Sequence, residues 1–452
     1  MTSSRKMKLG LSLRYLGYHS AAWRHPDVPA DGATQFRYFL ECAKRAEEAK
    51  FDTIFFADGL AVRGSDHPKG VLARDMKNVE LEPLTLLAAI AASTRHIGLV
   101  ATASTSYNAP YHVARKYASL DHISNGRSGW NVVTSWSEQE AWNFNRDEHL
   151  GYDERYEMAH EFVDVVTGLW DSWDADAFLR DKKSGIFYDQ TKLHVLDHVG
   201  KYFKVRGPLT SARCPQGRPI IYQAGASESG RQLGARVADV LYANALTIDS
   251  AREYYQDMKA RAAAQGRNPS QLLVMPGITI YVGRTKSEAQ AQFDMLQELI
   301  DPLVGLGILD QYFGDLSEYD LDGPVPAPKN PKIRSMAENL YGEAQARNLT
   351  IRQLYQLAAS ANSQRHVIGT AKDVVDGMQE WFENDAADGF NVCPPAMPVS
   401  LDSFINLVLP ELRKRDLVRL EYNGSTLREN LGLDKPMMGD VRSRHYAVKQ
   451  YA

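Results

Sequence analysis

Eight short apolar runs, each followed by a helical pattern, constrain the fold of this chain more than any other feature. They occupy residues 9–13, 51–58, 96–104, 128–135, 218–225, 238–245, 272–283 and 388–394. β-Branched and aromatic residues crowd these runs, and Gly, Asn, Asp or Pro bounds most of them, as strands require. The intervening stretches, such as FRYFLECAKRAEEAK, EFVDVVTGLWDSW and VVDGMQEWFENDAA, carry apolar residues near i, i+3, i+4 and i+7. Strand–helix alternation predicts a parallel sheet with right-handed crossovers, and eight strands close a barrel. The expected fold is an α/β (β/α)8 TIM barrel over the whole of residues 1–452.

Two regions exceed ordinary loop lengths and read as insertions. Residues 174–217 carry short β-like pieces, expected as hairpins, and residues 303–368 join a proline-rich LDGPVPAPKNPKI to helical sequence. The polar extension 416–452 is expected to pack on a neighbouring subunit.

Composition narrows the function classes. The net charge is −4, so nothing draws the chain as a whole toward nucleic acid or anionic lipid. No run reaches the eighteen or so apolar residues of a membrane span. The N-terminus reads as a first strand, not a signal peptide. Cys42, Cys214 and Cys393 are too scattered for a zinc knuckle or a disulfide framework, and a reducing cytoplasmic setting suits them. The histidines form neither HExxH nor an HxH after the first strand, so no metal site is expected. A GxSxG nucleophile elbow is missing as well.

Candidate chemistry gathers where barrel strands end. The second strand ends at Asp58, either a ligand acceptor or a turn-capping carboxylate. After the third comes a hydroxyl cluster that includes Thr102 and Ser104, and it either lines a polar ligand or satisfies the turn backbone. The fourth, WNVVTS, closes on polar groups that include Asn131 and Thr134. After the fifth, QAGASESGR opens a helix. Gly225 lets backbone approach an anion, Ser227 adds a hydroxyl, and the helix N-terminus offers free N–H groups. Tyr152 and Tyr156 share a helix face, as phenol donors or as packing.

Several stretches together resemble one family, the bacterial-luciferase-like flavin monooxygenases, in the branch of nitrilotriacetate and dibenzothiophene-sulfone monooxygenases. They are AWRHPD (22–27), KFDTIFFADGLAV (50–62), LEPLTLLAAIAASTRHIGL (81–99), YNAPYHVARKYASLDHISNGRSGWNVVTS (107–135), PQGRPIIYQAGASESGR (215–231), AADGF (386–390) and EYNGSTLRENLGL (421–433). The resemblance implies a two-component monooxygenase. It would take reduced FMN from a separate NAD(P)H-dependent flavin reductase and use O2 through a C4a-(hydro)peroxyflavin. A small organic substrate would then be hydroxylated or cleaved at a C–S, C–N or C–halogen bond. Asp58, Thr102, Ser104, Tyr156 and Ser227 match the family's flavin contacts. Tyr152 replaces a histidine common in related sequences, so that contact can donate a hydrogen bond but carries no charge. Asn131 and Thr134 are expected to face the flavin.

The family's substrate pocket is lined from the segment after the first strand. Here that segment offers Tyr15 and Tyr18, with His19 as a proton donor or peroxide stabiliser. Phe55, Phe56 and Trp130 would wall the pocket, and residues 303–368 would form a lid. This aromatic lining favours an aromatic or organosulfur substrate over an aminopolycarboxylate such as nitrilotriacetate. Rival readings are a deazaflavin-dependent oxidoreductase and a non-catalytic flavin-binding protein. A homodimer or homotetramer is the expected assembly.

Overall fold

The structure, a computed structural model, describes residues 5–62, 66–135, 137–329, 334–361, 365–439 and 449–450. The strands of its main sheet are β1 (Lys8–Ser12), β2 (Thr53–Phe56), β3 (Gly98–Ser104), β4 (Ser128–Val133), β5 (Ile220–Gln223), β6 (Val240–Ala243), β7 (Leu273–Gly283), β8 (Arg365–Thr370) and β9 (Gly389–Val392). All pair in parallel in the order β8–β7–β9–β1–β2–β3–β4–β5–β6, and β6 returns to β7. The ring closes through Val240 opposite Leu273, and through Lys8 opposite Gly389. β8 stands outside the ring, on the far half of β7. Each of the eight runs marked in the sequence supplies one strand of the closed barrel, and the TIM-barrel expectation holds.

The barrel strands have two buried faces. Outward side chains such as Leu9, Leu11, Ile54, Leu99, Trp130 and Ile221 join the helices in one large core. Inward side chains such as Phe55, Val100, Tyr222, Tyr242 and Met275 fill the barrel itself. Burial on both faces explains why the runs are almost continuously apolar.

The surrounding helices include α1 (Phe36–Glu48), α2 (Pro83–Ala91), α3 (Pro110–Ile123), α4 (Tyr152–Trp170), α5 (Glu228–Val237), α6 (Ile248–Ala264) and α7 (Lys286–Glu298). Then come α8 (Pro302–Phe313), α9 (Arg334–Arg347), α10 (Ile351–Ala361) and α11 (Ala371–Glu383). α8 and α10 pack through Leu306, Leu309, Phe313, Leu354 and Tyr355 into a separate small core that reaches Ala21, in the segment after β1. Between α4 and β5, His198–Val199 and Lys204–Val205 form a small antiparallel pair. In that region His194 Nε2 meets Asp174 at 2.9 Å and His198 Nε2 meets Glu161 at 2.8 Å.

The described part of the C-terminal extension packs on its own barrel. Leu427, Leu431 and Leu433 enter the barrel core. A Cβ on Gly98, the first residue of β3, would lie 2.5 Å from Leu427 Cδ1, so Leu427 fills the space that glycine leaves. Arg428 clamps Asp239 through two 3.1 Å contacts, both side chains almost wholly buried. The extension therefore plugs the amino end of the barrel and leaves the carboxyl end for chemistry.

The DHISNGR segment builds the entry to β4. Asn125 and Gly126 take positive φ of 56° and 87°, a turn these residue types tolerate. Arg127 is buried, and its guanidinium donates to Ser124 O, Ile97 O, Ala91 O, Thr94 O and Thr94 Oγ1. This cation is fully satisfied by neutral acceptors.

Candidate active site

The carboxyl ends of β3, β4 and β5 assemble one polar cluster. Thr102 Oγ1 donates to Phe56 O at 2.8 Å, and Asn131 Nδ2 donates to Thr102 Oγ1 at 2.9 Å. Asn131 Oδ1 is buried without a partner, an acceptor held ready beside the barrel axis. Ser104 Oγ lies 2.8 Å from Ser135 Oγ, and Ser106 Oγ donates to Thr134 O at 2.7 Å. Asp58 receives the Gly59 N–H at 2.8 Å.

α4 brings Tyr152 and Tyr156 to the same place, with ring centroids 5.1 Å apart. Tyr152 donates to Ser227 Oγ. Burial raises the Tyr156 pKa, opposed by the hydroxyls of Ser227 and Thr134, so the phenol keeps its proton. Ser227 caps α5 by accepting the Gly230 N–H at 3.3 Å. The first N–H groups of that helix have no intrahelical acceptor. Gly225 and Gly230 pack backbone on backbone: a Cβ on Gly230 would lie 2.8 Å from Gly225 Cα. The fold thus joins Thr134, Tyr152, Tyr156, Gly225 and Ser227 across almost a hundred residues of sequence.

Reading along the chain missed the residues that hold this cluster rigid. Ser135 sits at φ 57°, donates to Glu140 Oε2 at 2.5 Å, and accepts from Arg155 through its carbonyl. Tyr107 hydrogen-bonds His149 and stacks on Phe144. A serine in left-handed conformation gives no local signal, and Glu140 and Arg155 come from elements whose packing only the fold determines.

A second group lies over β1 and β9. Tyr18 N and His19 N donate to Pro394 O and Pro395 O at 2.9 and 3.0 Å, stitching the segment after β1 to the segment after β9. Tyr18 enters the barrel core with Phe55, Tyr242 and Cys393. Burial raises the Tyr18 pKa and pushes the Cys393 thiol up to about 11. Tyr15 stands at φ 49°, a strained conformation for a bulky residue.

His19 is fully buried, with Nδ1 accepting the Ala21 N–H at 3.1 Å. Its proton therefore sits on Nε2, which is buried without a partner. Burial, reinforced by the charge of Lys77 and opposed by Gln297, lowers its pKa to about 3. The ring is neutral at ordinary pH. It can donate a hydrogen bond from Nε2 but cannot act as an imidazolium acid, which narrows the proton-donor expectation.

Phe56 was expected in the pocket and does not lie there. It points outward and packs edge-on against Phe39 of α1, 5.6 Å between centroids. Trp130 likewise packs outward, against Tyr117, Phe162 and Trp170. Phe55 is the inward neighbour, 5.2 Å from the ring of Tyr242. Among the described residues no group of three or more His, Cys, Asp or Glu is placed to hold a metal. No described helix is long and apolar enough to cross a membrane.

A closed barrel with its polar residues gathered at the carboxyl end, beside a glycine-rich helix start, defines a TIM-barrel enzyme that takes a phosphate-bearing ligand. Comparison with known proteins sharpens this class. Residues 17–388 match the family model described as luciferase-like monooxygenase. The chain is 47% identical over 443 residues to an N-acetyl-S-(2-succino)cysteine monooxygenase of Bacillus subtilis, covering 97% of this chain and 99% of that one. It is 44% identical to nitrilotriacetate monooxygenase component A of Aminobacter aminovorans, covering 96% and 98%. The crystal structure of DmoA from Hyphomicrobium sulfonivorans matches with a TM-score of 0.86 at 32% identity, covering 94% and 92%. The chain belongs to the luciferase-like monooxygenase family. It is a flavin-dependent monooxygenase in the branch that its sequence resembled.

Proposed function

We propose that the protein is the oxygenase component of a two-component system. It binds reduced FMN made by a separate NAD(P)H-dependent flavin reductase, and it oxidises a small organic compound with O2. One relative is itself named a monooxygenase "component A", which supports the division of labour. The observation that carries the reading is the cradle of Ser227, Tyr152 and Tyr156 over the Gly225–Gly230 contact. Two phenols, a hydroxyl and a helix N-terminus suit a phosphate monoester. The unpartnered Asn131 Oδ1 suits an N–H donor of a flavin ring, and Asp58, Thr102 and Ser104 supply further polar groups beside it.

When bound, reduced FMN supplies the two electrons that activate O2. The protein's own residues hold and shield. Ser227, Tyr152 and Tyr156 fix the phosphate end. Phe55, Tyr222 and Tyr242 close the floor with apolar surface, and water exclusion suppresses loss of the activated oxygen. His19 offers a neutral Nε2–H donor to a developing oxyanion. Residues 303–368 serve as the lid, their core anchored at Ala21 beside His19. We extend the proposal to a cytoplasmic homodimer or homotetramer, for which the exposed Leu179, Ile186 and Phe187 offer apolar surface.

Anaerobic titration with reduced FMN tests the cradle. Ser227→Ala and Tyr156→Phe should each weaken binding by about 1–3 kcal/mol, the cost of a lost hydrogen bond to a charged or buried group. Unchanged affinity in both would remove the assignment. Substrate-dependent O2 consumption with a flavin reductase separates the proposal from deazaflavin hydride transfer and from simple flavin storage.

A further inference from the structure

Ser104 closes β3 on the same inward face as Val100, and its hydroxyl belongs to a chain with a fixed direction. A carboxylate only accepts, so the Ser135 hydroxyl spends its proton on Glu140 Oε2, 2.5 Å away. Ser135 Oγ lies 2.8 Å from Ser104 Oγ and has no second proton, so Ser104 is the donor in that contact. Ser104 Oγ also accepts the Ser106 N–H at 3.1 Å. All three side chains of the chain are buried. Ser135, at φ 57°, is held in place by its carbonyl, which accepts from Arg155.

The neighbouring groups are oriented in the same sense. The Phe56 carbonyl takes the Thr102 proton at 2.8 Å, so Thr102 Oγ1 accepts from Asn131. That contact turns the Asn131 amide nitrogen toward Thr102 and leaves Oδ1 as an acceptor without a partner. Thr105 and Ser106 give their protons to Val133 O and Thr134 O. Every hydroxyl from Thr102 to Ser106 therefore spends its proton on the protein. The wall built by the ends of β3 and β4 accepts and does not donate.

We propose that Glu140 and Ser135 are positioning residues that make the site select reduced over oxidised flavin, by fixing Ser104 as an acceptor. The proposal rests on the reading of this barrel mouth as a flavin site. Two-electron reduction turns N5 of an isoalloxazine from a lone-pair acceptor into an N–H donor. An acceptor-only wall gains a hydrogen bond from the reduced ring and sets lone pair against lone pair for the oxidised one. The spent form is then the weaker ligand and gives way to the next reduced flavin.

The test is titration of reduced FMN, under anaerobic conditions, and of oxidised FMN into the wild type, Ser135→Gly and Glu140→Met. Glycine suits the left-handed position and keeps the carbonyl that Arg155 binds. Methionine keeps the length of Glu140 and removes its acceptors, so Ser135 turns its proton to Ser104. In both variants the Ser104 proton is released toward the ligand. The wild type should prefer reduced FMN. Each variant should narrow that preference roughly 10-fold, the worth of about one hydrogen bond, mainly through tighter oxidised FMN. The midpoint potential of bound FMN should fall by about 30 mV with each tenfold narrowing. Variants that weaken both redox forms alike, with ratio and potential unchanged, have lost only structural support and overturn the proposal. A wild type without preference for reduced FMN overturns it too. Failure of the flavin reading shows separately, as a wild type that binds neither form.

Discussion

Acidification should expose the buried neutral state of His19 directly. The unfolded chain titrates this residue near 6.5, whereas the folded protein holds it at about 3 because burial and Lys77 disfavour the charged ring. Between those values the unfolded state takes up a proton that the native state refuses. The stability this implies is present in full above pH 6.5 and is lost as pH falls toward 3. At pH 5 the native ring is neutral for any folded value of 4 or below, so the cost depends only on the unfolded value. That difference of about 1.5 pH units corresponds to about 2 kcal/mol. His19→Asn removes the titration and keeps an acceptor for the Ala21 N–H. Urea unfolding followed by tryptophan fluorescence at pH 7.5 and pH 5 should therefore show His19→Asn losing about 2 kcal/mol less than the wild type. His160, lowered to about 4 by burial and Arg236, contributes equally to both proteins and cancels. Equal losses in the two proteins would refute a neutral buried ring.

Three further substitutions test the architecture around the site. Arg428→Met leaves the Asp239 carboxylate buried without its cation, and should destabilise the fold by about 3–5 kcal/mol in equilibrium unfolding. Phe56→Ala should cost a similar 3–5 kcal/mol of stability, roughly as for other buried phenylalanines, and leave the substrate KM unchanged. Phe55→Ala should raise KM and divert O2 to hydrogen peroxide, because its ring faces the barrel interior beside Tyr242. Steady-state kinetics with peroxide detection compares the pair. Equal KM values for both variants would refute the assignment of faces.

The barrel was legible in the sequence because a strand buried on both faces must be apolar throughout, and each run between turn residues supplies one stave. The helix start at Ser227 was legible too: small residues before a helix leave backbone N–H groups free, whatever surrounds them. Other features depended on the tertiary structure for a physical reason. A doubly buried strand has no polar alternation to distinguish its faces, so Phe55 and Phe56 look alike until register and twist orient them. The neutrality of His19 comes from burial by other elements and from the charge of Lys77. Local sequence determined the staves and the helix start at Ser227. Which way their side chains face was decided by the packing of distant segments.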